Sequence, residues 1–472
     1  MTFPARTSAV VLLIGAIVAL GWGAFGLDPA RLADRLWSFS LRPYRTPPAP
    51  PPLPIGKNYG KLVAAPKVLA KNLPRPALRL QAGPGGVQPI EDESNSLAPF
   101  YQALGDLESH QSSSPLRIAH YGDSPTTADL ITADVRELLQ RQYGNAGHGF
   151  HLIAKPWAWY GHRSITSDAS GWDIDPATTA KVRDGLYGYG AVSFRGGTGA
   201  RARLRWKGAE HTRATVAYFQ QPNGGAFRVE ACGEALGETE TNGEAASRFA
   251  SFPLSPACPE LTLRVSRGPV RLYGLDLLSG QPGIVYDSLG INGAYISVLS
   301  KLLKAPHWAE QLAHFQPALV IVNYGTNESV YEAFVDKAFE KELRETIRRL
   351  RAALPGKSIL VMSPMDRGQR NAAGAIETVA AIEKLIAIEQ KVAAEESVAF
   401  FNTFAAMGGN GTMRDWYEGT PRLVGADFIH PMPAGAKRIG EYLFRALQDG
   451  FNRHKNSRLS SALASSSANS QN

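Results

Sequence analysis

The apolar pattern changes period twice along this chain of 472 residues. Strand-like runs and amphipathic helices alternate, give way to β-like runs alone, then resume. In the first block, "LRIAHY" precedes a helix expected over 126–143, with Ile131, Val135, Leu138 and Leu139 on one face. In the last block, "GIVYDS", "ALVIVNY", "SILVMSP" and "VAFFNTF" read as buried strands. Helices are expected between and after them, over 333–354, 372–396 and 433–448. Near-continuous apolar strands separated by helices demand a mainly parallel sheet covered on both faces. The stretch between the blocks is rich in Gly and aromatics. It carries "ARLRW", "ATVAYFQQ", "FRVEAC", "LTLRVS" and "VRLYGLDLL", parted by turns such as "QPNGG" and "ETNGE". Many short strands at that spacing suggest a β-sandwich. The first βα unit cannot bury its own surfaces, and the last block supplies the missing strands. The expected architecture is one α/β domain, residues 96–145 and 282–450, interrupted by an inserted β-sandwich, residues 146–281.

The ends differ from the body. After Arg6 no charged residue occurs until Asp28, and "TSAVVLLIGAIVALGWGAFGL" is nearly all apolar. Residues 1–27 therefore read as a signal anchor or a cleaved signal peptide, with the body of the protein across the membrane. Residues 28–95 include "RPYRTPPAPPPLPIGK", too rich in Pro for helix or central strand and suited to an extended spacer. The tail, 451–472, is Ser-rich with little to bury and is expected to be disordered. The formal net charge is +8, but the basic residues are scattered and no nucleic-acid-type block occurs. A cell-envelope or periplasmic setting, tethered to the inner membrane, fits these features. The only two cysteines, Cys232 and Cys258, lie 26 positions apart in the β-rich stretch. In an oxidising compartment they are candidates for a disulfide, for which chain entropy gives about 3 kcal/mol; two separate buried thiols are the alternative. No Cys/His cluster has metal-ligand spacing, and neither a P-loop nor a dinucleotide fingerprint is present, so no metal or cofactor is expected.

Ligand sites in open α/β sheets lie at the carboxyl ends of the strands. The residues there are Gly122-Asp123-Ser124, then Leu289 to Ala294, then Gly325-Thr326-Asn327-Glu328, then Met365-Asp366-Arg367. Asp427-Phe428-Ile429-His430 precedes the last helix. Each has an ordinary use as a cap or turn residue. Together they offer a hydroxyl, Gly-rich backbone, a carboxamide, a carboxylate and an imidazole, the set that acyl transfer needs. Three positions apart on a tight turn, Asp427 can hold the His430 Nδ1–H while Nε2 faces a serine. Thr126 or Thr127 is then left to cap the helix. Asn292 and Asp366 are rival donors and acceptors to Gly293 and Asp427.

Gly122-Asp123-Ser124, Gly293, Gly325-x-Asn327 and Asp427-x-x-His430 resemble the four blocks of the SGNH (GDSL-type) hydrolase superfamily, in order, over about 115–145 and 283–447. The resemblance implies a flavodoxin-like parallel sheet, Ser124 as nucleophile, His430 as base and Asp427 as its orienter. It implies an oxyanion hole from the Ser124 and Gly293 N–H groups and the Asn327 amide. "GINGA", "YGTNE" and the inserted β-domain look most like Gram-negative peptidoglycan O-acetylesterases, whose insert resembles a carbohydrate-binding module. Pro125, "HPMPAG" and Glu328 depart from the pattern. The implied activity is removal of O-acetyl groups from a polysaccharide, with peptidoglycan the favoured polymer; the alternatives are an O-acetyltransferase on the same site, a lipid esterase and a non-catalytic wall-binding protein. Trp206, Tyr218, Phe219 and Phe227 of the insert are candidates for stacking on sugars or for its core.

Overall fold

The computed structural model describes residues 86–179, 181 and 184–469, with side chains through 460. The expected N-terminal apolar segment and most of the Pro-rich spacer lie outside the described residues. Five strands form a parallel sheet: β1 (Pro115–Gly122), β2 (Gly283–Gly290), β3 (Leu319–Asn323), β4 (Ser358–Met362) and β5 (Ala399–Phe401). Their spatial order is β2-β1-β3-β4-β5. This is the flavodoxin-like order, in which the chain reverses direction across the sheet between β1 and β3. The register brings Gly122 level with Gly290 on one side and with Asn323 on the other. The carboxyl ends of β1, β2 and β3 therefore finish together.

Alternate strand residues face opposite sides. Tyr121, Val320, Val322, Ile359 and Val361 join one apolar core, under helices Ala305–Phe315, Glu340–Ala353 and Ala381–Glu395. Ile118, Leu319, Ile321, Leu360 and Met362 join the other, under helices Ala98–Glu108, Leu130–Tyr143 and Pro433–Asn469. Helix Ala98–Glu108 was not anticipated; its buried face is Phe100, Tyr101, Leu104 and Leu107.

The insert holds nine strands between Gly147 and Leu278, joined as one antiparallel sheet. The two layers of the expected sandwich are continuous through strand Val192–Trp206. Its first part pairs with Val270–Leu278, as at Phe194 and Leu272, and its later part with Glu260–Arg267, as at Leu204 and Leu261. The sheet folds over there. Tyr218 and Phe227 meet with ring centroids 5.5 Å apart, although three strands separate theirs along the sheet. Trp206, Tyr218, Phe219 and Phe227 are all buried, so they are core residues and not a sugar-stacking face. Cys232 and Cys258 are joined as a disulfide within this domain.

The insert is anchored to the parallel sheet by a buried cation. Arg117 of β1 donates Nη1 to both oxygens of Asp287 on β2, at 2.9 and 2.8 Å, and Nη2 to both of Asp276 in the insert, at 2.8 and 2.9 Å. Asp287 also accepts from the Phe150 N–H and the Tyr189 hydroxyl of the insert.

Three expectations need correction. The helix expected from 126 breaks into Ser124–Thr127 and Leu130–Tyr143 at Asp129, whose φ is +55°. Residues 372–380 do not open a helix. Strands Gly368–Arg370 and Ile376–Thr378 pair there as a hairpin, turned by Asn371, whose Oδ1 accepts from the Ala373 and Ala375 N–H groups. Local hydrogen bonding and a Gly374 at φ +82° override the helix propensity of its alanines. The tail expected to be disordered instead continues the last helix to Asn469. Its start is held on helix Ala98–Glu108: Phe451 packs near Tyr101, and Lys455 pairs with Glu108 at 2.9 Å.

Candidate active site

Ser124 is the first residue of the four-residue helix that leaves β1, after an extended Asp123. Its N–H is one of the orphan donors of a helix start. Gly290 lets this turn sit on the end of β2: a Cβ there would lie 2.4 Å from the Thr127 nitrogen. Neither threonine acts as the expected cap. The Thr127 hydroxyl donates back to the Asp123 carbonyl at 3.3 Å, and Thr126 Oγ1 is buried without a partner.

The chain returns to Ser124 at the turn before the last helix. Asp427 Oδ1 accepts from the Ile429 and His430 N–H groups at 3.0 and 3.1 Å, and Phe428, between Asp427 and Ile429, has φ +58°. That turn aims the other carboxylate oxygen at the ring: the His430 Nδ1–H donates to Asp427 Oδ2 at 2.6 Å. The opposite nitrogen, Nε2, lies 2.8 Å from Ser124 Oγ and accepts its proton. Burial pushes the Asp427 carboxyl up, but the hydrogen bonds from the His430 ring and from the His430 and Ile429 backbone outweigh it and hold it below the usual value. A charged carboxylate behind an imidazole stabilises the imidazolium that forms when the serine loses its proton.

The two candidate oxyanion loops touch each other. Gly293 sits in an exposed turn at φ +67°, a conformation that suits only glycine without strain. The Asn327 Nδ2 group donates one hydrogen to the Ala294 carbonyl at 2.9 Å, which fixes the amide and leaves its second hydrogen for another acceptor. Glu328, a departure from the family pattern, is buried and bridges the same loops. Its Oε1 accepts from the Ile296 N–H at 2.7 Å and its Oε2 from the Gly325 N–H at 3.1 Å. Burial pushes the Glu328 carboxyl up to about 8 against the pull of these N–H groups. Asp123 is likewise buried, and burial pushes it up to about 7 despite hydrogen bonds from Thr326 and the nearby His430.

Of the two rivals, Asp366 is tied elsewhere and Asn292 has its side-chain oxygen engaged. Asp366 accepts from the Thr378 hydroxyl at 2.8 Å and the Met413 N–H at 2.7 Å, tying the hairpin to helix Thr412–Glu418. Asn292 Oδ1 accepts from the Trp159 indole N–H at 3.2 Å. Trp159 is a neighbour of the site that sequence reasoning missed, and Arg367 is one to which it gave no role. Arg367 donates to the Thr326 carbonyl and, at 3.3 Å, to the Ser329 hydroxyl. Among the described residues, no group of His, Cys, Asp and Glu side chains is arranged to hold a metal ion.

This arrangement can transfer an acyl group: a hydroxyl in line with a base, and N–H donors beside it. Residues 267–438 match the family model of the GDSL-like lipase/acylhydrolase family. That span holds Gly293, Asn327, Asp427 and His430 but not Ser124, which the insert separates from them. No curated protein matches the chain. A solved structure described as a peptidoglycan O-acetylesterase is similar at a TM-score of 0.65 and 22% sequence identity, over 77% of this chain and 99% of that one. At that identity the likeness is one of fold, insert included. A putative GDSL-like lipase from Parabacteroides merdae is similar over 35% of this chain and 73% of its own, at 18% identity and a TM-score of 0.27. A family two carbohydrate esterase from Clostridium thermocellum is similar over 61% and 99%, at 12% identity and a TM-score of 0.26. Residues 267–438 thus carry a GDSL-like lipase/acylhydrolase domain, and the chain shares the fold of a solved peptidoglycan O-acetylesterase, with an antiparallel β-domain inserted after its first βα unit.

Proposed function

We propose that this protein is an exported serine O-acetylesterase that removes acetyl groups from a cell-envelope polysaccharide, peptidoglycan being the favoured polymer. The observation that carries it is the line from Ser124 Oγ through the His430 ring to Asp427, at 2.8 and 2.6 Å, beside the β1/β3 switch point. Ser124 Oγ attacks the acetyl carbonyl while His430 Nε2 takes its proton. The oxyanion accepts hydrogen bonds from the Ser124 and Gly293 N–H groups and from the free Asn327 amide hydrogen. Collapse breaks the ester C–O bond, and the departing sugar oxygen takes the proton from His430. A water deprotonated by His430 then attacks the acetyl-enzyme, releasing acetate and restoring the Ser124 hydroxyl.

The polymer is supported by the resemblance of the four blocks and by the fold shared with the solved O-acetylesterase. Export and tethering are supported by the apolar stretch before Asp28 and by the single cysteine pair. A fluorophosphonate, which reacts with activated serines, tests the nucleophile. The expected result is one adduct on the Ser124 peptide, absent from His430→Ala; labelling elsewhere, or none, contradicts the assignment.

A further inference from the structure

Seven large apolar side chains stand exposed among the described residues, and four of them belong to segments that build the site. Val330 and Tyr331 follow Asn327 by three and four positions, and Met432 follows His430 by two. The fourth, Trp159, comes from the insert and reaches the loop of Gly293 through its bond to Asn292. Trp159 is 55% exposed and Tyr331 59%. An exposed apolar cluster beside reactive groups marks a surface that a ligand covers.

The chemistry of the surface selects the ligand. Tyr295 packs against Tyr331 at 6.3 Å and against Phe334 at 5.7 Å, so one aromatic wall is pre-formed on the Asn327 side. Trp159 is held in place by its indole N–H, with its ring free. Beside these faces lie the Asn292 amide and the Arg367 guanidinium. Flat apolar faces next to hydrogen-bonding groups suit a pyranose ring, which offers C–H groups on its face and hydroxyls at its edge. The side chains of His430 and Asp427 are 45% and 46% exposed, an open setting that suits a polymer lying across the site.

We propose that Trp159 of the insert and the Tyr295–Tyr331 pair form two aromatic platforms for the sugar rings that flank the acetylated residue. The inserted domain then contributes to the substrate site itself, and Trp159 is a specificity-determining residue. The proposal rests on the esterase reading above.

The test compares kcat/KM for an O-acetylated N-acetylglucosamine tetramer with that for 4-nitrophenyl acetate, in wild type, Trp159→Ala, Trp159→Phe and Ser124→Ala. Remote contacts with a long substrate appear in that ratio. Trp159→Ala is expected to lower the tetramer-to-small-ester ratio at least tenfold, mainly through KM, and Trp159→Phe to recover most of it by keeping a ring in place. Parallel loss on both substrates, an unchanged ratio, or Phe no better than Ala overturns the platform. Hydrolysis that survives in Ser124→Ala overturns the esterase reading instead, and the proposal with it.

Discussion

Ser124 begins a helix whose second residue is Pro125. A proline there forfeits only an N–H that a helix start leaves unpaired, and its fixed φ suits the first turn. Pro125 therefore helps set the turn that presents the hydroxyl. Ser124, Asp427 and His430 were legible in the sequence because each falls at a strand end or just before a helix, in an order that chemistry can use. The threonine caps were misjudged because Asp129 breaks the helix to bind Arg136, at 2.8 Å through each oxygen, which no spacing rule reveals. Asn327 is the residue whose role is most open to measurement. If its free amide hydrogen meets the oxyanion, Asn327→Ala should lower kcat on a small acetyl ester about 100- to 1000-fold, with little change in KM. A fall of only a few-fold contradicts the role.

The elements that matter most are the two loops after β2 and β3, and Glu328 holds them together. Both of its oxygens accept backbone N–H groups, one from each loop. Glu328→Gln turns one acceptor into an NH2 group that faces a buried N–H. A buried donor left without an acceptor costs about 1–3 kcal/mol. The expected outcome is a lower melting temperature and at least tenfold slower turnover, since Gly293 and Asn327 lose their common tie. A variant that melts and turns over like wild type contradicts it. At this scale the β-strands of the parallel sheet were readable as apolar runs, whereas the hairpin at Gly368–Thr378 was hidden by an alanine-rich segment with helix propensity. Helix Ala98–Glu108 was hidden by its position after a weakly patterned stretch, and its burial depends on the last helix, several hundred residues away.

In the whole molecule, the interruption of an α/β domain by a β-domain was readable from the change of apolar period, because two packing geometries impose two periods. The way the insert is fastened was not. Arg117 lies in an apolar strand, and only the assembled fold shows two buried aspartates converging on it from different domains. Arg117→Ala would strand both carboxylates in the interior, for which a cost of about 3–5 kcal/mol is expected. Urea unfolding should show that loss; a change below about 1 kcal/mol would contradict the anchoring role. The meeting of Trp159 with Asn292 is equally a product of the assembled molecule, since the insert's own strand pattern does not say which loop turns toward the site.

The central claim is that one serine, on this scaffold, removes acetyl groups from a wall polymer. Acetate released from O-acetylated peptidoglycan by the purified protein, measured beside Ser124→Ala, tests it most directly. Steady release by the wild type and none above background by Ser124→Ala is the predicted result. Equal release by both, or none by a folded wild type that accepts the fluorophosphonate, would contradict it.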